Sequence, residues 1–177
     1  MKLILGIDPG SVITGYGVIR SDGVRDFHVA NGSIRIKGDN LPEKLGCVLR
    51  EVGAVIDEWQ PAEVGIEQVF VAKNPMSALK LGQARGAAIC AAVARNLPVH
   101  EYTPRSIKQA VAGYGAADKS QMQSMISILL SLKDMPGPDA ADGLAVALCH
   151  AHSRGLGSVA VSSGGGRRRN RRWSSAP

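Results

Sequence analysis

The sequence predicts one α/β domain with a mixed five-stranded sheet, three antiparallel strands then parallel strands, flanked by helices. Three observations predict it. Three strand-like segments with short turn signals open the chain, helical and strand-like segments then alternate, and helical periodicity alone follows. A length of 177 residues suits a single domain with a real core.

Lys2 to Asp8 reads as a buried strand, Leu3-Ile4-Leu5-Gly6-Ile7, closed by Pro9-Gly10. Thr14 to Arg20 is the second strand, and Ser21-Asp22-Gly23 is a turn signal. Val24 to Ile36 is the third, anchored by Val29 and Ile34. Asn40 is a good N-cap for a helix with Pro42 and Glu43 in its first turn. Leu41, Leu45, Val48, Val52, Val55, Ile56 and Trp59 recur there at helical spacing, and Gln60-Pro61 ends it. Glu63 to Val69 is a short strand, Pro75 to Asn96 a long Ala-rich helix, and Pro98 to Tyr102 the fifth strand. Pro104 opens a helix through Ile107 and Val111, and Gly113-Tyr114-Gly115 breaks it. Asp118 to Leu132 is helical, Met135-Pro136-Gly137-Pro138 is a rigid link, and Asp139 to His152 is the last helix.

Residues 1–154 therefore read as the folded domain, and 155–177 as a flexible Gly/Ser/Arg-rich tail without periodicity. The net charge is +6, but Arg167, Arg168, Arg169, Arg171 and Arg172 lie in the last eleven residues. Without them the body carries +1. The excess charge is a solvated end with a secondary capacity for weak attraction to a polyanion such as DNA. Cys47, Cys90 and Cys149 are far apart in apolar helical patterns, which predicts buried, reduced thiols. His28, His100, His150 and His152 show no ligand spacing and read as structural. Asp8 interrupts the first apolar run, so that run is no signal peptide, and Gly86 to Ala94 is too short to span a bilayer. A cytoplasmic protein with no membrane association is expected.

The chemistry lies in four acids in apolar surroundings. Asp8 ends the first strand and Glu67 ends Val64-Gly65-Ile66. Asp139 and Asp142 sit three apart in Asp-Ala-Ala-Asp-Gly-Leu-Ala, on one helix face. None of these segments carries Lys or Arg beside its acid. Buried carboxylates without partners are costly, and converging ones resist ionising. A divalent cation resolves both problems, and oxygen-only ligands suit Mg²⁺ or Mn²⁺. The set points to metal-dependent phosphoryl transfer, with a nuclease as the expected class.

Gly6-Ile7-Asp8-Pro9-Gly10-Ser11 with Thr14-Gly15-Tyr16-Gly17 resembles the opening of the RuvC family, the bacterial Holliday-junction resolvases. Ile66-Glu67-Gln68-Val69-Phe70, Ser77 to Gly86, and Asp139-Ala140-Ala141-Asp142-Gly143-Leu144-Ala145 look like its later blocks, in order, between about residues 2 and 152. The resemblance implies a ribonuclease-H-like fold and a homodimer. It implies an endonuclease that cuts four-way DNA junctions by paired symmetric nicks, with two Mg²⁺ ions per subunit and Mn²⁺ as a substitute. It further implies partnership with the RuvA–RuvB branch-migration complex. By position, Asp8, Glu67, Asp139 and Asp142 match the family's catalytic metal-binding carboxylates. Lys108 and Lys119 match its DNA-contacting lysines, and Phe70 matches an aromatic that stacks on a junction base. The helix from Pro75 to Asn96, Ala/Gly-rich, is the expected dimer contact.

Two other classes are weighed beside this one. Asp8-Pro9-Gly10-Ser11 also resembles the phosphate loop of actin-like sugar and acetate kinases, which need two such domains and more residues than this chain has. A junction-binding module that keeps the fold without catalysis would not need the complete acidic set.

Overall fold

The computed structural model describes residues 1–69 and 74–157, the side chains of 155–157 excepted. Phe70 and the Arg-rich tail lie outside the described residues. Strands β1 (Lys2–Asp8), β2 (Ile13–Ser21), β3 (Asp26–Arg35), β4 (Glu63–Glu67) and β5 (Val99–Tyr102) form one sheet in the order β3-β2-β1-β4-β5. The β1–β2 and β2–β3 pairs are antiparallel, and the β1–β4 and β4–β5 pairs are parallel. The helices are α1 (Leu41–Trp59), α2 (Pro75–Val93), α3 (Pro104–Ala112), α4 (Lys119–Leu129) and α5 (Pro138–Gly157). This is the predicted mixed sheet with its helical flanks.

Local chemistry sets the boundaries. Asn40, Asn74, Thr103 and Asp118 each accept backbone N–H groups as N-caps, and Pro follows the cap within two residues in α1, α2 and α3. β3 starts two residues after Val24 because Asp22 Oδ1 accepts from the N–H of both Val24 and Arg25, holding a turn there. α2 ends at Val93 rather than Asn96, since Asn96 adopts a φ of +58°. α5 continues to Gly157, past the predicted stop at His152 and through the position where the tail is expected to begin. Ser153 Oγ donates to Cys149 O at 2.7 Å, and Arg154 Nε pairs with Glu63 Oε2 at 3.0 Å. One bond within the helix and one tertiary ion pair thus extend a helix whose last turns lack apolar periodicity. Cys47 and Cys149 are buried as expected, but Cys90 is exposed, because α2 buries Ala84, Ala88, Ala91 and Ala92 instead.

The sheet separates two cores. On one face α1 and α2 cover Leu5, Ile7, Val18, Val64 and Ile66. On the other, α5 backed by α3 and α4 covers Ile4 and Ile19. The period-two alternation of a strand assigns residues to these faces. Leu5 and Ile7 face α1 and α2, so Ile4, Gly6 and Asp8 face α5. Val64 and Ile66 likewise leave Glu63, Gly65 and Glu67 on the α5 face. Glycine lets α5 lie close on that face. A Cβ on Gly6 would strike the backbone of Gly143 and Ala147, and one on Gly15 would strike the Asp139 carbonyl.

Candidate active site

The β1–β4 register pairs Ile7 with Ile66, so the next residues, Asp8 and Glu67, end adjacent parallel strands side by side. Both face α5. α5 begins at Pro138, which places Asp139 in its first turn and Asp142 one turn further on the same side. Gly15, opposite Asp8 in the β1–β2 register, is where the α5 backbone comes closest. Strand alternation and the close helix thus bring acids from three elements to one end of the sheet. Such strand ends are where open α/β sheets place their sites.

Asp8, Glu67 and Asp142 line one cleft of about 270 Å³ together with Lys108 from α3 and Lys119 at the start of α4. Asp139, half-buried at the edge, acts on Asp8 and Asp142 through its charge. Lys119 Nζ is 3.9 Å from Asp142 Oδ2, and its side chain is 83% exposed. A groove of about 340 Å³ beside α1 is lined mainly by aliphatic groups, with Lys44, Lys80 and a single acid, Asp39. It lacks convergent acids, which the smaller cleft has.

The electrostatics follow from this crowding. Burial raises the Asp8 carboxyl to about 8, with repulsion from Glu67, a hydrogen bond shared with Glu67, and the charges of Asp142 and Asp139 adding to it. Burial also raises Glu67 and Asp142 above the usual carboxylate range. Lys108 opposes both shifts, and Lys119 opposes that of Asp142. No Lys or Arg adjoins these acids in sequence, whereas the fold brings two lysines to the rim. They do not neutralise the set, because Asp8 still resists ionising at neutral pH. A cluster that cannot carry its own negative charge, built only of oxygen donors, fits a hard divalent cation.

Two arrangements were not visible in the sequence. Arg85 on α2 donates Nε to the Glu67 carbonyl at 3.1 Å and pairs with Glu101 Oε1 at 2.6 Å. At the opposite end of β4, Glu63 pairs with Lys2 Nζ at 2.8 Å, His150 Nε2 at 2.8 Å and Arg154 Nε at 3.0 Å. His150 Nδ1 meets the Tyr102 hydroxyl at 2.7 Å. Against expectation, histidines do cluster here: potential ligand atoms of Glu63, His100 and His150 lie within 4.8 Å of one another. Residues 37 and 87 positions from Glu63 meet only through the β4–β5 pairing and the packing of α5 on the sheet. Three cationic or hydrogen-bonding partners already hold the Glu63 carboxylate, and both His150 nitrogens are engaged. This group therefore reads as a brace between β1, β4 and α5.

The family model described as crossover junction endodeoxyribonuclease RuvC matches residues 4–150. A protein of that name from Psychromonas ingrahamii is 58% identical over 153 residues, covering 86% of this chain and 88% of the relative. One from Acinetobacter baumannii is 51% identical over 178 residues, covering 99% and 98%. Among solved structures, Thermus thermophilus RuvC in complex with a Holliday junction substrate superposes with a TM-score of 0.83 at 32% identity. That match covers 89% of this chain and 98% of the other.

Proposed function

The chain belongs to the RuvC family of crossover junction endodeoxyribonucleases, and from that premise we propose that it resolves four-way DNA junctions by paired symmetric nicks, with Asp8, Glu67, Asp139 and Asp142 holding Mg²⁺. The observation that carries this reading is the cleft in which Asp8, Glu67 and Asp142 meet two lysines while burial and mutual repulsion raise all three acids. Two Mg²⁺ ions per subunit, with Mn²⁺ as a substitute, would activate the attacking water and stabilise the leaving 3′-oxygen.

The remaining roles belong to the chain's own groups. Asp8, which ends β1 beside Glu67, would help to hold both ions. Glu67 and Asp139 would each hold one ion, and Asp142 would complete the set or orient water. Lys119 is exposed beside Asp142, and Lys108 lies in the same cleft, so both can meet a backbone phosphate as it enters. Phe70 is the proposed stacking residue on an unpaired base.

Symmetric nicking of opposed strands calls for two sites, so a homodimer is part of the proposal. α2, which exposes Met76 and Leu79, is its contact surface. The RuvA–RuvB complex is the proposed partner and the cytoplasm the proposed location. No helix among the described residues is long and apolar enough to cross a membrane.

The test is a synthetic mobile four-way junction, with linear duplex as control, incubated with Mg²⁺ or with EDTA. Paired nicks on the junction alone, and only with metal, support the reading. Junction binding without nicks under Mg²⁺ and Mn²⁺ would reduce the chain to a binding module.

A further inference from the structure

Glu67 is the last residue of β4, and beyond it one further backbone bond, from Gln68 N–H to Tyr102 O at 2.8 Å, precedes the loop. A carboxylate there needs its backbone held if its direction is to be defined. The hold comes from behind the sheet. Arg85 Nε donates to the Glu67 carbonyl at 3.1 Å, and its terminal nitrogen pairs with Glu101 Oε1 at 2.6 Å. The other Glu101 oxygen accepts from Gln68 Nε2 at 3.4 Å. In the β4–β5 register Ile66 faces Glu101 and Glu67 faces Tyr102. One guanidinium therefore ties α2 to the ends of both strands, and Glu101 secures the residue after Glu67. The Arg85 side chain is only 19% exposed against 45% for Glu101, so the guanidinium is the sheltered half of the pair and its bond to the Glu67 carbonyl is its inward contact.

We propose that Arg85, with Glu101, is a positioning residue that fixes the Glu67 backbone so that its carboxylate faces Asp8 and the bound cation. This rests on the reading of Glu67 as a metal ligand. Groups that orient metal ligands typically change metal affinity by one to two orders of magnitude when removed. Arginine suits the task because its planar fork reaches a carbonyl and a carboxylate at once, in fixed geometry. A lysine ammonium keeps the charge but not the fork.

The experiment titrates Mn²⁺ into the DNA-free protein by calorimetry, and measures junction affinity in EDTA and the Mg²⁺ midpoint of cleavage. Wild type is compared with Arg85→Lys, Arg85→Ala, Glu101→Gln and Glu67→Gln. Arg85→Lys should weaken Mn²⁺ binding roughly 10-fold and raise the Mg²⁺ midpoint in proportion, with junction affinity unchanged. Glu101→Gln should move both in the same direction by less. Wild-type Mn²⁺ affinity in Arg85→Lys overturns the proposal, even if its melting temperature falls, because Arg85 is then only a brace. Loss of junction affinity matching the loss of cleavage also overturns it, making Arg85 a DNA contact. Should Arg85→Ala not fold, Arg85→Lys and Glu101→Gln decide the matter. Glu67→Gln separates the two levels. If it binds Mn²⁺ and cleaves like wild type, the reading of Glu67 itself fails. If it is inactive while Arg85→Lys titrates normally, only the positioning role fails.

Discussion

Replacing Asp8 by Asn should stabilise the metal-free protein at neutral pH. In the native state without a cation, burial and the neighbouring acids raise Asp8 from 3.8 to about 8. A carboxyl whose folded pKa lies above its unfolded one binds more protons folded than unfolded between those values. Stability therefore falls as pH rises through that window, by about 1.4 kcal/mol per pH unit for a fully expressed single proton. From 3.8 to pH 7.5 the ceiling is about 5 kcal/mol. The cleft opens to solvent and carries two lysines, so about 2 kcal/mol is the expected realised cost. The amide introduced by Asp8→Asn would remove that cost while keeping a donor toward Glu67, as protonated Asp8 has. For a chain of this size, about 2 kcal/mol corresponds to roughly 4–8 °C in melting temperature.

The assay is thermal unfolding by circular dichroism in EDTA and in Mg²⁺, from pH 4.5 to 8. In EDTA at pH 7.5 the variant should melt about 4–8 °C above wild type, with the gap closing toward pH 4.5. Mg²⁺ should raise the wild type and leave the variant nearly unmoved. Equal or lower stability of the variant in EDTA at pH 7.5 would refute the reasoning, since Asp8 would then be a satisfied structural residue.

Gly15→Ala should push the first turn of α5 off the sheet, because its Cβ would strike the Asp139 carbonyl. Cleavage should drop at least roughly 10-fold with junction binding retained, and wild-type single-turnover rates would disprove that the contact places Asp139. Lys119→Ala removes the charge that holds Asp142 down. The acidic limb of the cleavage pH profile should move to higher pH, by only a few tenths of a unit for so exposed a lysine; an unmoved limb would detach Lys119 from Asp142. Glu63→Gln breaks a buried brace with three partners. It should cost about 3 kcal/mol of stability in urea unfolding, with junction cleavage by the folded fraction unchanged; a selective loss of cleavage would give that cluster a catalytic role.

The strand–helix order was legible because each element is locally consistent. β1 ends at Pro9-Gly10, and four helices start at Asn or hydroxyl or carboxylate caps. The acids were legible because a charged residue in an apolar run is costly unless a partner offsets it. What sequence could not supply was long-range partnership. Lys108 and Lys119 reach the acids from separate helices. Arg85 reaches the Glu67 carbonyl across 18 positions and Glu63 meets His150 across 87. Neither pair has a periodicity of its own. The end of α5 was missed for the same reason, because Arg154 belongs to the helix through Glu63, on a different strand. In one dimension Gly6 and Gly15 are only members of strand-like segments. Their purpose shows only where α5 presses its backbone on the sheet.

The most direct test of the central claim is anomalous diffraction from crystals grown with Mn²⁺. Density between Asp8 and Glu67, at about 2.1 Å from their carboxylate oxygens and absent from Asp8→Asn crystals, is the predicted result. An empty carboxylate cleft, with Mn²⁺ found instead on Glu63, His100 and His150, would contradict the account.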